Sequence, residues 1–305
     1  MDTVNQSLAG RTAILKLLPL SISEIYTGES SKVHSIPELI YRGFYPRIVA
    51  QNLDPAQAYS FYVSTYLERD LRQLKEINNL GRFETFLTLC AANVGQLVNF
   101  TRIANDCGIT EKTAASWMSI LQASYIIFLL QPHHNNLRKR VTKSPKLYFY
   151  DVGLAAHLLK IQSADHASSH PLLGSLFENM MIHDLIKQAW NRARDHHLSF
   201  FRDHSGNEVD VISDFGTGVR TIEIKLSQTV SSSQFKGLRK YNDIRTTAQE
   251  KQASVPATDL ATINEQYLIY GGTDNHTRNN VEVVSYRQFA HTNPMQWGGN
   301  SLLTV

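Results

Sequence analysis

Hydrophobic residues change their spacing several times along the chain, and each change predicts a different element. From about Pro55 they recur every three or four positions, in "PAQAYSFYVSTYLERDLRQL" and "FETFLTLCAANVGQLV", which predicts amphipathic helices. Further along they alternate with polar residues, in "LSFFRD", "EVDVISDF" and "VRTIEIKLS", which predicts three strands joined at "HSGN" and "GTG". The apolar run "TAILKLLPLSI", residues 12–22, predicts one more buried strand.

The elements around the three strands indicate the fold class. A long amphipathic helix, "PLLGSLFENMMIHDLIKQAWNRA", precedes them, and the helix "SSSQFKGLRKYND" and the strand "EQYLIYGG" come after them. This order is typical of layered α/β structure. Since 305 residues are enough for two or three domains, we expect a multi-domain α/β protein divided at 1–54, 55–165 and 166–305.

The middle of the chain has the order of a helix-turn-helix. "FTRIANDC" and "EKTAASWMSILQASYI" are two helices separated by a turn that contains Gly108, and two strands around a basic loop come next, in the position of a wing. DNA is the partner that this pattern favours, and the alternative is an ordinary helical hairpin with a solvated basic loop. The candidate nucleic-acid contacts are Lys112, Thr113 and Ser116 on the second helix and Arg138, Lys139, Arg140, Lys143 and Lys146 in the loop.

The overall composition permits such binding without requiring it. The net charge is only +3, so any basic surface must be local. The hydrophobic fraction of 42% and the charged fraction of 19% are typical of a soluble globular protein. Two cysteines without a C-x-x-C pair favour a reducing cytoplasm. The longest apolar run, "YIIFLL", is far shorter than the roughly 18 residues of a spanning helix, so no membrane is expected.

Charged residues interrupt the most apolar strands of the predicted hairpin. Glu223 and Lys225 are two positions apart, so they share a face of their strand, and the turn at "GTG" places Asp210 opposite them. Buried charges are costly unless they are paired. Two carboxylates can hold Mg²⁺ or Mn²⁺, and Glu178, on the preceding helix, could supply a third ligand. The alternative is a structural ion cluster in which Glu223 pairs with Lys225 or Arg202.

A series of segments in this order resembles a known family. The segments are "SLAGRTAILKLLPLS", "YRGFYPR", "YLERDL", "GQLVNFTRIANDCGITEKTAASWMSILQASYIIFLLQP", "KSPKLYFYDVGLAAHLL", "GSLFENMMIHDLIK", "FFRDHSGNEVDVI" and "IEIKLSQT". They are similar to prokaryotic AAA-type ATPases with a C-terminal domain of unknown function, the one numbered 4143, which is PD-(D/E)xK nuclease-like. The resemblance covers roughly residues 5–272. It implies the remnant of an ATPase core and lid in 1–54, a winged-helix-like segment in 55–165 and a nuclease-like sheet in 166–305.

The resemblance also implies roles for particular residues. Carried over one by one, the catalytic set is Glu178, Asp210, Glu223 and Lys225, with the three carboxylates as ligands of Mg²⁺ or Mn²⁺ and the lysine at the attacking water. "SSSQFKGLRKY" is similar to the helix that comes after the lysine in RecB-like nucleases, which adds Gln234 and Tyr241 as weaker candidates.

One departure from the family concerns ATP. The ATPase core of the family opens with a phosphate-binding G-x-x-x-x-G-K-[ST] loop, whereas this chain has no Gly-Lys dipeptide. ATP binding is therefore not expected here. Three functions remain open: a metal-dependent nuclease, a non-catalytic DNA-binding or regulatory module, and an interaction module for a protein partner or a second copy. DNA binding is favoured first and cleavage second, and the two are compatible.

Overall fold

The computed structural model describes residues 15–26, 34–66, 77, 79–133, 144–214, 218–252 and 262–292. Within these ranges the chain is mixed α/β, which confirms the predicted fold class. The helices are α1 (Ile22–Tyr26), α2 (Ile36–Arg42), α3 (Pro46–Gln51), α4 (Pro55–Thr65), α5 (Leu80–Ala92), α6 (Phe100–Cys107), α7 (Glu111–Ala123), α8 (Val152–Leu158), α9 (Ala164–Ser169), α10 (Leu173–Trp190), α11 (Lys236–Gln252) and α12 (Tyr286–Thr292). The strands are β1 (Ile127–Leu130), β2 (Lys146–Phe149), β3 (Leu198–Arg202), β4 (Glu208–Asp214), β5 (Gly218–Lys225), β6 (Thr262–Tyr270), β7 (His276–Arg278) and β8 (Val281–Ser285).

The larger sheet has six strands in the order β3-β4-β5-β6-β8-β7. Strands β3, β4 and β5 form the antiparallel meander that the alternating pattern predicted. Strand β6 runs parallel to β5 and β8 runs parallel to β6. Helix α10 packs against β5, and α11 packs against β4 and β5. The apolar side chains of the sheet divide between two core clusters, so the sheet is buried on both faces.

The two helices α6 and α7 are present where the sequence predicted them. Gly108 ends α6 in the left-handed conformation, with φ +64, and the Thr110 side chain caps α7. Strands β1 and β2 then form an antiparallel hairpin. Leu97, which precedes α6, forms an antiparallel bridge with Lys146 on the other side of β2. The small sheet therefore has β2 in the middle.

The segment after β1 joins the two sheets. Pro132 forms a parallel bridge with Phe200 on β3, the edge strand of the larger sheet. The Phe200 N–H donates to the Gln131 carbonyl at 3.0 Å, and the His133 N–H donates to the Phe200 carbonyl at 2.7 Å. This part of the β3 edge is therefore paired.

The predicted buried strand at residues 12–22 is wrong in the part that the structure describes. Leu15 and Leu17 are 67% and 93% exposed, and Ile22 begins α1. The Ile22 N–H donates to the Asp184 carboxylate on α10 at 2.7 Å, so a helix side chain anchors this backbone. A short apolar run does not by itself distinguish these arrangements.

Asp151 holds three segments together at the start of α8. Its buried carboxylate accepts the N–H of Leu154 at 2.8 Å, the N–H of Phe44 at 2.7 Å and the hydroxyl of Tyr59 at 2.5 Å. These donors satisfy a group that would be costly to bury without partners. Burial nevertheless raises the pKa of Asp151 above its ordinary value, although the Tyr59 hydroxyl opposes the change.

Two glycines allow this junction to close. A β-carbon at Gly153 would lie 2.6 Å from the Gly43 α-carbon and 2.3 Å from the Tyr59 hydroxyl. Gly43 itself has φ +67, a conformation that other residues rarely adopt. The backbones of α8 and the turn after α2 therefore touch directly.

We expect Gly153→Ala to lower the free energy of unfolding by ~2 kcal/mol or more, because the added methyl group must push two backbones apart. Gly174→Ala is the matched control, since a β-carbon at Gly174 on α10 would meet nothing within 4 Å. Its stability should be unchanged or raised by up to ~1 kcal/mol. Urea unfolding of both variants measures the difference, and equal stabilities would contradict the expectation.

Candidate functional site

Strands β4 and β5 bring the predicted charged residues together. The observed register pairs Val211 with Ile222, so Asp210 lies beside the segment from Glu223 to Lys225. The Asp210 carboxylate accepts the Ile224 N–H at 2.8 Å and contacts the Lys225 ammonium at 3.2 Å. The hairpin geometry derived from the sequence is thus present in the structure.

Lys225 lies between two carboxylates. Its Nζ is 2.7 Å from Glu223 Oε1 and 3.2 Å from Asp210 Oδ2. Burial alone would lower the pKa of Lys225, but the two carboxylates outweigh burial and raise it. The Lys225 side chain remains 33% exposed, so its ammonium can still meet a ligand from solvent.

Glu223 is the most perturbed carboxyl group of the hairpin. The residue is only 6% exposed, and its Oε2 atom has no hydrogen-bond partner in the part of the chain that the structure describes. Burial, followed by the charge of Asp210, raises the pKa of Glu223 to about 8. Glu223 therefore holds its proton to a higher pH than an ordinary glutamate does.

Glu178 reaches the same region from the first turns of α10. Its Oε1 atom accepts hydrogen bonds from the Tyr148 hydroxyl and from Lys146 Nζ, the latter at 2.9 Å. Burial raises the pKa of Glu178 above its ordinary value, although the Lys146 ammonium opposes the change. Helix α10 thus supplies the third predicted carboxylate.

Lys146 does not lie in an exposed basic loop, and that prediction is wrong. It is the first residue of β2 and is 2% exposed. Its Nζ forms ion pairs with both Glu178 and Glu208. Burial alone would lower the pKa of Lys146, but the acidic groups around it hold the pKa well above its ordinary value. Its position in the centre of the small sheet directs the side chain inward.

The other predicted nucleic-acid contacts differ in their exposure to solvent. Lys112 is exposed on the first turn of α7, whereas Thr113 and Ser116 are half-buried. The Thr113 hydroxyl lies 2.8 Å from the Thr110 hydroxyl of the helix cap. Four loop residues lie outside the described residues, namely Arg138, Lys139, Arg140 and Lys143.

The carboxylates that best fit a metal differ partly from the predicted trio. Glu178, Glu208 and Asp210 each offer an oxygen within 4.8 Å of the others. Such oxygens are the ligands that Mg²⁺ and Mn²⁺ prefer, so the donor set fits the expected ion. Glu223 lies outside this set. Its Oε1 contacts Lys225, and its Oε2 is 3.3 Å from where a β-carbon at Gly237 would lie.

Glu208 is the functional candidate that sequence reasoning missed. It precedes Asp210 by two positions on β4, so the same alternation that paired Glu223 with Lys225 would have placed both carboxylates on one face. Arg202 on β3 contacts its other oxygen, Oε2, at 3.2 Å.

The two weaker candidates after the lysine are not part of the cluster. The Gln234 amide donates to the Ser227 hydroxyl at 2.7 Å, and its side-chain carbonyl accepts the Ser231 N–H at 2.9 Å. Tyr241 is fully buried on α11, where it packs against Phe201.

Two family models match the chain. Residues 173–289 match a domain of unknown function, DUF4143, and residues 33–165 match another, DUF8612. The predicted C-terminal domain 4143 is therefore confirmed. The four carboxylates of the site and Lys225 lie in the DUF4143 segment, whereas Lys146 lies in the DUF8612 segment.

The curated relatives with similar sequences are mycobacterial. The uncharacterized protein Mb2031c of Mycobacterium bovis and the uncharacterized protein Rv2008c of Mycobacterium tuberculosis are each 26% identical over 231 residues. The alignments cover 75% of this chain and 50% of each relative, so the chain spans about half the length of the curated relatives it matches. No solved structure gives a significant match. In the described ranges, no helix combines the length and the apolar character needed to cross a membrane.

We expect the stability contribution of Glu223 to decrease as the pH rises. The unfolded carboxyl group ionises near pH 4.5, whereas the folded one stays protonated until about pH 8. The native state therefore binds the extra proton, and stability that is present below pH 4.5 is lost as the pH approaches 8. Glu223→Gln removes this titration, so the stability of the variant relative to the wild type should rise by ~2–4 kcal/mol between pH 5 and pH 8.5.

Urea unfolding at several pH values, with EDTA present, measures this difference. Glu84→Gln makes the same change of charge at an exposed position on α5 and controls for net charge. Parallel stability curves for Glu223→Gln and the wild type would show that the carboxyl group does not titrate in this range.

Proposed function

We propose that the chain is a DNA-binding protein whose C-terminal sheet hydrolyses phosphodiester bonds with a divalent metal, Mg²⁺ or Mn²⁺. The observation that carries this proposal is the convergence of one helix carboxylate, Glu178, with Glu208 and Asp210 on β4 and with Lys225 on β5. In this proposal the C-terminal sheet has the PD-(D/E)xK fold and the chain is related to AAA-type ATPases, but it does not hydrolyse ATP.

Each residue of the cluster has a role that its position allows. Glu178, Glu208 and Asp210 would hold the metal, which when bound makes a water molecule more acidic and offsets charge on the phosphate. Lys225, partly exposed beside Asp210, would orient the attacking water or stabilise the developing negative charge. Glu223 Oε1 lies 2.7 Å from Lys225 Nζ, and this contact would orient the Lys225 side chain.

The small sheet supports DNA binding. The elements of this region follow the order of a winged helix, namely α5, the bridge at Leu97, α6, α7, β1 and β2, with the Leu97 bridge to β2 in the position of the first strand. In such modules the second helix of the helix-turn-helix contacts DNA, and Lys112 is exposed on that helix. The same chain would then both bind DNA and carry the carboxylate cluster that cuts it.

We expect the purified chain to cut single- or double-stranded DNA with Mn²⁺ or Mg²⁺, and EDTA to stop the reaction. Asp210→Asn keeps an acceptor for the Ile224 N–H but removes a negative charge, so cleavage should fall by ~100-fold or more, which corresponds to a few kcal/mol of transition-state stabilisation. Gel assays of labelled DNA measure the rates.

The matched control is Asp243→Asn, at an exposed position on α11, which should cut like the wild type. DNA left intact under conditions where a control nuclease cuts would reject hydrolysis. The alternative would then be a non-catalytic regulatory module, or an interaction module for a protein partner or a second copy.

We expect DNA affinity to depend on the basic residues of the winged-helix-like segment. Replacing Lys112 and the four loop residues Arg138, Lys139, Arg140 and Lys143 with alanine should weaken binding ~10-fold or more at 100 mM salt. It should also reduce the slope of log affinity against log salt, because fewer phosphates are neutralised. Fluorescence anisotropy in EDTA measures both quantities.

The control for that experiment replaces Lys236 and Lys240, two exposed lysines of α11, with alanine. Its affinity and salt slope should stay close to those of the wild type. If the loop variant binds as tightly as this control, the DNA contacts lie elsewhere on the molecule.

A further inference from the structure

Lys146 occupies the carboxylate cluster. Its Nζ lies 2.9 Å from Glu178 Oε1 and also contacts Glu208 Oε1, and the side chain is only 3% exposed. The ammonium lies over the Phe200 ring at 5.6 Å from the ring centroid. A compact cation thus already sits between two carboxylates.

The same two carboxylates belong to the set that fits a divalent metal, together with Asp210. An ammonium group and a metal ion that bind the same oxygens exclude each other by charge repulsion and by space. Because Lys146 is covalently held next to the cluster, its effective concentration there is high. A metal must therefore displace it or accept fewer ligands.

We propose that Lys146 is a tethered counter-cation that competes with the divalent metal for Glu178 and Glu208. This inference rests on the proposed metal site. It assigns to the winged-helix-like segment a direct part in the cluster, since the cation belongs to β2 and the carboxylates belong to α10 and β4.

The surroundings of Lys146 favour competition over a contact that only stabilises the fold. Glu208 keeps a second cation, Arg202, on its other oxygen at 3.2 Å, and Glu178 keeps the Tyr148 hydroxyl. Both carboxylates would therefore retain a partner if the ammonium moved away. The Lys146 backbone is paired on both sides, with Leu130 and Leu97, so the side chain must turn or the small sheet must shift.

The competition links the metal to the position of the small sheet. If metal binding displaces the ammonium, a ligand that favours the displaced arrangement must raise metal affinity by the same factor as the metal raises the affinity for that ligand.

Isothermal titration with Mn²⁺ tests the inference on the full chain. Lys146→Gln should bind Mn²⁺ at least tenfold more tightly than the wild type, because the competing charge is gone. Glu208→Gln added to that variant should reverse most of the gain. Lys240→Gln, at an exposed position on α11, makes the same change of charge and should leave the affinity unchanged.

Lys146→Met is the second variant, since its apolar stem can keep the contact with Phe200. If either variant is less stable, the rise in Tm on adding Mn²⁺ should still exceed the rise in the wild type. Failure of both variants to fold, even with Mn²⁺, would overturn the inference, because a metal could not then replace the ammonium.

The outcomes separate the inference from the proposed function. If the wild type binds Mn²⁺ and the Lys146 variants bind it no more tightly, the competition is rejected while the metal site stands. If neither the wild type nor any variant binds Mn²⁺, the metal site itself is rejected and the inference with it.

Discussion

The ion pairs of Lys146 with Glu178 and Glu208 are the interaction through which the small sheet meets the carboxylate cluster of the larger one. Several carboxylates lie close together at the β4–β5 hairpin, and burying such charges is costly unless each meets a cation or a donor. Lys225, which belongs to the hairpin itself, forms ion pairs with Asp210 and Glu223. Glu178 and Glu208 receive a cation from another part of the chain, and these ion pairs hold β2 against α10 and the larger sheet.

This balance of charge changes how the nuclease-like pattern should be interpreted. A helix glutamate, a strand aspartate and an E-x-K segment describe a fold, and a fold does not determine an activity. In this chain lysines already neutralise much of the acidic set, and burial raises the pKa of Glu223 to about 8. The chemistry of the site therefore depends on which cation occupies it, a question that the motif alone does not raise.

Features that depend on local periodicity could be predicted from the sequence, whereas features that depend on contacts between distant segments could not. The position of Asp210 opposite the segment from Glu223 to Lys225 results from alternation and one turn, and the structure shows it. Glu208 obeys the same alternation, so the sequence carried a signal for it as well. The sequence predicts a basic loop at Lys146 because its neighbours along the chain are basic. The ion pair with Glu178, which lies 32 residues further on, leaves no local signal. The apolar run at 12–22 gives no signal of its distant partner, which for Ile22 is the Asp184 carboxylate of α10.

The bridge between Pro132 and Phe200 has a consequence for the boundaries of independent units. An unpaired edge strand invites association with other strands, and here the segment that leaves the small sheet pairs with part of the β3 edge. A fragment limited to the DUF4143 segment would lose both this pairing and the Lys146 cation. It would carry an open strand edge beside a carboxylate cluster that has lost one of its cations. The two matched segments are therefore connected by backbone hydrogen bonds and by ion pairs. Dividing the protein between the two family models would remove both kinds of interaction.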